Sequence, residues 1–238
     1  MSLGSRAPVA KKKRDEAERP FWISFSDLMT ALMVLFLVAM SVALMAITRE
    51  ISEAEEKKAE REAEIAELMQ RLHNATREFP GVRVHGRVVD FGDRARFETN
   101  SHRLSDAQAR LLRGFTPHIL ALARDPLGDK WLKRVVVDGY ADARGSYLHN
   151  LNLSLQRSER VLCVLQALPP QPLPLSEADR QLVRELFLVG GASFNALRES
   201  AEESRRIEMR LEFRDLDEAP VGPRPPTGDG DGRCPLDL

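Results

Sequence analysis

The sequence predicts a single transmembrane helix joined to an α+β two-layer sandwich. Three observations predict it. From Ile23 to Ile47 the only charged residue is Asp27. From Arg49 to Phe79 the chain is dense in Glu, Ala, Lys and Arg and lacks Gly and Pro. Beyond Pro80-Gly81, strand-like and helix-like periodicities alternate as far as Phe213, the pattern of a layered sheet-and-helix domain. These shifts divide the chain into a basic tail (1–20), a span (21–47), a charged helical spacer (48–80), a folded domain (81–214) and a Pro/Gly/Asp-rich tail (215–238).

Composition removes several function classes. The 238 residues carry 35 basic and 36 acidic side chains, which gives no basic excess for nucleic acid. Aromatics are 6%, too few for a stacking platform on single strands. Two cysteines exclude a disulfide-rich scaffold and a four-cysteine zinc site. No Ser-His-Asp set, metal cluster or phosphate loop stands out, and Gly190-Gly191 alone is no phosphate loop. The chain therefore reads as a non-enzyme with no cofactor.

Each element has its own reason. The apolar run is long enough, at about 1.5 Å per residue, to cross a hydrocarbon core of roughly 30 Å. It exceeds a cleaved signal core, so it reads as an uncleaved signal anchor. Residues 1–20 hold six Lys or Arg and the first twenty residues after the span hold four, a bias that sets the N-terminus inside. The spacer carries a thin apolar stripe (Ile51, Ala54, Ile65, Leu68, Leu72). A short coiled coil and a solvated spacer helix both fit it.

In the domain, Val84–Phe91 reads as a strand and Ala95–Thr99 as a short one. Ser105–Ala123 is an amphipathic helix with Ser105 and Gln108 placed as a capping box. Arg134–Asp138 is a buried strand ended by Gly139. Leu148–Leu168 is a helix broken by Pro169–Pro174. Ser176–Phe187 is a short helix, and Leu188–Gly191 and Arg206–Phe213 are the last strands.

Asp27 is the most informative residue. A carboxylate within a bilayer costs at least a few kcal/mol. It is either an interfacial acid that reaches water or a protonatable group facing a partner or ion path. Ser24, Asp27, Thr30, Val34 and Ser41 share one small-and-polar stripe, a pattern that packs against other helices. In the domain, Asp142 follows the strand end and Arg157 lies fifteen residues on. They either bracket a zwitterion or form a surface salt bridge, worth about 0–1 kcal/mol. Cys163 sits on a helix and Cys234 in the tail. They pair in an oxidising compartment or remain two thiols.

Two resemblances weigh these alternatives. The segment Trp22-Ile-Ser-Phe-Ser-Asp27-Leu-Met-Thr-Ala-Leu-Met-Val-Leu-Phe-Leu-Val resembles the membrane helix of MotB-type stator B subunits, whose single Asp, matching Asp27, takes up the driving ion. The segment Gly139-Tyr-Ala-Asp142 through Asn150, Leu153-Ser154 and Arg157 to Val161 is similar to the peptidoglycan-binding signature of OmpA-C-like domains. There the Asp and Arg grip the charged ends of the diaminopimelate unit. By that resemblance Asp142 and Arg157 hold the ligand, Asn150 and Leu153 shape the pocket, and the fold is of the βαβαβ type. Ser204-Arg205-Arg206-Ile207-Glu208 resembles the closing motif of the same domains. Tyr140, Ala141 and Ser158 depart from the usual His, Thr and Ala.

Together these imply a stator B subunit of the bacterial inner membrane, N-terminus cytoplasmic and C-terminal domain periplasmic. Its partners would be a second copy of itself, a ZorA-like or MotA-like subunit in five copies, and peptidoglycan. It would pass H+ or Na+ and make no direct contact with nucleic acid. The span is closest in style to B subunits of the Zorya anti-phage defence systems. No residue chemistry separates defence from flagellar motility, and a motorless wall tether stays open beside both.

Overall fold

The computed structural model describes residues 15–168, 171, 174–219 and 234–237. Most of the expected basic tail and much of the C-terminal tail lie outside the described residues. The chain separates into two compact units, residues 1–58 and 59–238.

In the first unit the described residues belong to helix α1 (Asp15–Ala75). Its side chains from Ser24 to Lys58 are exposed, and its most apolar stretch reaches a mean hydropathy of 2.6. The hydroxyls of this stretch are satisfied within the helix. Thr30 donates to the Ser26 carbonyl at 2.8 Å, Ser41 to Leu37 at 2.7 Å and Thr48 to Leu44 at 2.8 Å. Back-bonding of this kind lets a hydroxyl sit in an apolar medium without an unmet donor.

The second unit is a five-stranded sheet under helices. Its strands are β1 (Arg83–His85), β2 (Val88–Asp90), β3 (Leu132–Gly139), β4 (Phe187–Gly191) and β5 (Ile207–Phe213). Their spatial order is β1-β2-β5-β3-β4, with β3 and β4 parallel and every other pair antiparallel. The helices are α2 (Asp106–Arg124), α3 (Pro126–Trp131), α4 (Tyr147–Gln166), α5 (Glu177–Leu186) and the single turn α6 (Ala201–Ser204). The core joins Val89, Val135, Val137, Met209 and Leu211 of the sheet to Leu112, Phe115, Ile119, Val161 and Leu165 of α2 and α4. The expected capping box at Ser105 and Gln108 is formed in both directions.

Three expectations need correction. The single strand over 84–91 is a hairpin: Arg83–His85 turns back onto Val88–Asp90. The first turn residue, Gly86, has φ +58, which glycine adopts without the strain a side chain brings. The short strand expected near 95–99 is absent; a 3-10 turn covers Gly92–Ala95 and Arg96 follows in extended conformation.

Third, the compact unit begins at Ala59 rather than at residue 81. Ile65, Leu68, Met69 and Leu72 are buried in the core. Arg61 is buried too; its Nε donates to the Arg214 carbonyl at 2.8 Å and its guanidinium lies 5.7 Å from the Trp131 ring. Glu64 accepts from Lys130 Nζ at 2.6 Å and from the Trp131 indole N–H. The late half of the spacer is thus a structural helix of the domain, and only residues up to 58 remain outside it.

Candidate functional site

In the first unit, Asp27 lies on an exposed face of α1 with Thr30 and Val34 three and seven positions on, so the three share one stripe. It is the only carboxylate between residues 24 and 47.

In the second unit, the loop between β3 and α4 builds a pocket of about 220 Å³. Asp142, Asn150, Leu153 and Arg157, all expected from sequence, line it together, along with Thr99, Arg144, His149 and Arg205. The backbone explains the convergence. A Cβ on Gly139 would lie 2.0 Å from the Ser154 carbonyl oxygen, so only glycine lets the end of β3 pass this close to α4. The chain then loops to Ser146, whose hydroxyl caps α4 by accepting from the His149 amide at 3.3 Å. Asn150 donates from Nδ2 to the Arg144 carbonyl at 2.8 Å and so holds the loop against the helix.

Arg157 is fully buried, at 0% exposure. Its Nε donates to the Ser101 carbonyl at 2.9 Å, Nη1 to Tyr140 at 2.6 Å and Nη2 to Glu98 at 3.1 Å. The guanidinium also lies 4.9 Å from the Phe97 ring. Burial, with a smaller push from Arg205, pulls its pKa down to about 10, against the attraction of Asp142.

Asp142, at 6% exposure, is surrounded by donors. Its Oδ1 accepts from the Arg144 amide at 3.0 Å. Its Oδ2 accepts from Arg144 Nη2 at 2.6 Å and Arg205 Nη1 at 3.0 Å. Burial alone raises the carboxyl; the side-chain and backbone hydrogen bonds of Arg144 and those of Arg205 outweigh it and hold it at about 2. No Asp142–Arg157 ion pair occurs, so the surface salt bridge weighed from sequence is replaced by the pairs to Arg144 and Arg205.

The pocket gathers three guanidiniums around one carboxylate. It suits a ligand that brings carboxylates, with Asp142 as its one anionic acceptor. Arg144, Arg205, Thr99 and His149 were not singled out as site residues by sequence reasoning. Arg205 lies in the Ser204–Glu208 segment already quoted, and its Nε also donates to the Phe97 carbonyl at 2.9 Å. The departures from the signature fall elsewhere. Tyr140 stacks on Arg206, 3.9 Å from its ring centre. Burial and Glu208 push its phenol up. Ser158 donates to the Gly190 carbonyl at 2.5 Å. Neither side chain lines the pocket.

Cys163 of α4 and Cys234 are joined by a disulfide with their Cα atoms 5.2 Å apart. Arg160 adds a two-pronged pair to Asp237, at 2.8 and 3.1 Å. Residues 234–237 are thereby fastened to α4.

Residues 7–61 match a family described as membrane MotB of the proton-channel complex MotA/MotB. The chain is 41% identical over 215 residues to the Zorya protein ZorB of Escherichia coli O139:H28 (strain E24377A / ETEC), covering 89% of this chain and 87% of that protein. Among solved structures, the periplasmic domain of Helicobacter pylori MotB aligns with a TM-score of 0.40 and 15% identity, over 59% of this chain and 85% of that one. The OmpA-like domain of FopA1 from Francisella tularensis aligns at 0.36 and 17%, over 56% and 82%.

Proposed function

Because this chain belongs to the ZorB family of MotB-type membrane proteins, we propose that it is the wall-anchored B subunit of an ion-driven stator acting in anti-phage defence. The observation that carries the reading is Asp27, the one charged residue of the apolar stretch Ile23–Ile47, which lies within the segment that matches MotB. A charged carboxylate crosses an apolar seam at high cost and a neutralised one cheaply. Loading and unloading of an ion, H+ or Na+, at Asp27 therefore switches how the helix sits against a partner. The partner is a ZorA-like or MotA-like subunit, five copies around two copies of this chain.

The pocket around Asp142 and Arg157 supplies the fixed end. Its cationic lining fits the carboxylates of a peptidoglycan stem, and Asp142 offers an acceptor for the stem's ammonium. A stator must be held against reaction torque, and a wall grip does that. The Lys and Arg bias across the span supports a cytoplasmic N-terminus, and a disulfide in the domain fits the oxidising side of the membrane. The 41% identity to a Zorya protein favours defence over motility.

The test is phage protection in cells carrying the native neighbouring genes, with wild type compared with Asp27→Asn at matched membrane levels. Loss of protection is expected. Full protection by Asp27→Asn would remove the motor and leave a tether.

A further inference from the structure

A second cavity, of about 680 Å³, lies between α2 and α4, away from the pocket of Asp142. Arg113 of α2 lines it at 4% exposure. Its guanidinium makes one long hydrogen bond, Nη1 to the Val164 carbonyl at 3.4 Å, and its Nε has no partner. No carboxylate among the described residues lies within ion-pair distance of it; Asp106 attracts it only through space, and burial depresses its pKa. Arg160 is already paired with Asp237.

Buried charges in proteins are paired, and an unmatched one is costly. Buried donors without partners are rare enough that each asks for an explanation. Leu104, Ala109, Val164 and the Cys163–Cys234 disulfide give it apolar walls, and Arg103, Asp106, Gln171 and the Arg160–Asp237 pair give it polar ones. We propose that this cavity is a binding site for a small amphipathic anion, a carboxylate or phosphate on a short apolar stem. The acid head pairs with Arg113 and the stem lies between α2 and α4. The disulfide and the Arg160–Asp237 pair hold residues 234–237 at its rim.

This site is independent of wall binding, and the test keeps the two apart. The full chain in lipid nanodiscs would be examined by saturation-transfer NMR with hexanoate, hexyl phosphate and the neutral control hexanol, against empty nanodiscs. Transfer to one or both acids and none to hexanol is expected, and which acid responds identifies the head group. Arg113→Met, which replaces a buried charge that lacks an ion-pair partner by a shorter apolar chain, should weaken acid binding roughly tenfold or more, the loss of a charge-assisted hydrogen bond. Its melting temperature should be unchanged or higher, and its retention on peptidoglycan equal to wild type. Absence of transfer to both acids, or equal transfer with Arg113→Met, overturns the site. Should Arg113→Met fail to fold, Ala167→Phe fills the cavity from its rim. Exclusion of the acid then supports the site, and undiminished binding overturns it.

Discussion

Replacing Arg157 by alanine strips the donor from three carbonyl groups at once, those of Ser101, Tyr140 and Glu98. Each carbonyl left buried and unpaired costs about 1–3 kcal/mol. Arg157→Ala is therefore expected to destabilise the domain by several kcal/mol in a denaturant titration, besides any loss of ligand; an unchanged midpoint would show these bonds to be dispensable. Asp142 is the sharper probe of the pocket. Its carboxyl is held at about 2, below its ordinary value, so the ionised form stabilises the fold. That contribution is complete above about pH 4, the unfolded value, and is lost as pH falls through 2. It amounts to about 2 kcal/mol. Asp142→Asn should flatten stability against pH between about 4 and 2; an acid limb identical to wild type would assign that loss to other carboxylates. The pocket was partly legible in sequence because Asp142, Asn150, Leu153 and Arg157 lie within sixteen residues of one another, on one loop and one helix. Arg205 and Thr99 come from distant segments, and only the pairing of β5 with β3 brings Arg205 to Asp142. Arg144 was hidden differently, as one more polar residue in a turn.

Helix α4 and strand β3 were legible because their own patterns specify them: helical spacing of apolar residues, and three consecutive valines ended by Gly139. The β1–β2 hairpin was not, because an apolar alternation continues across Gly86 and masks the turn. The late part of α1 was missed for another reason. Three apolar positions, Ile65, Leu68 and Leu72, stand among charges, a stripe too thin to distinguish a solvated helix from a docked one. What fills out that stripe is supplied by the rest of the domain. Leu68, at 1% exposure, is then a core residue. Leu68→Ala should cost about 3 kcal/mol, which for a domain of this size lowers the melting temperature by roughly 6–12 °C. Trp131, whose indole N–H donates to Glu64 on the same helix, is the reporter. Its emission should shift to the red as the helix undocks. A variant that melts with wild type would return residues 59–75 to the role of a spacer.

At the scale of the whole chain, the disulfide joins topology to stability. Cys163 and Cys234 lie 71 residues apart, and closing a loop of that length restricts the unfolded chain by about 4 kcal/mol in the chain-entropy account. A bond of this kind persists on the oxidising side of a membrane and is rare on the reducing side. The orientation proposed from the Lys and Arg bias across the span puts the domain on that same side by an independent route. Two measurements therefore bear on one orientation. In intact cells, trapped with a thiol-alkylating mass tag after denaturation, both cysteines should be unlabelled until a reductant is added. In purified full-length chain, reduction or Cys163→Ser should lower the unfolding free energy by about 2–4 kcal/mol. Labelling without reductant would place the domain on the reducing side and overturn the orientation. Protected cysteines with no stability change on reduction would keep the orientation and show that Arg160 and Asp237 suffice to hold residues 234–237 in place.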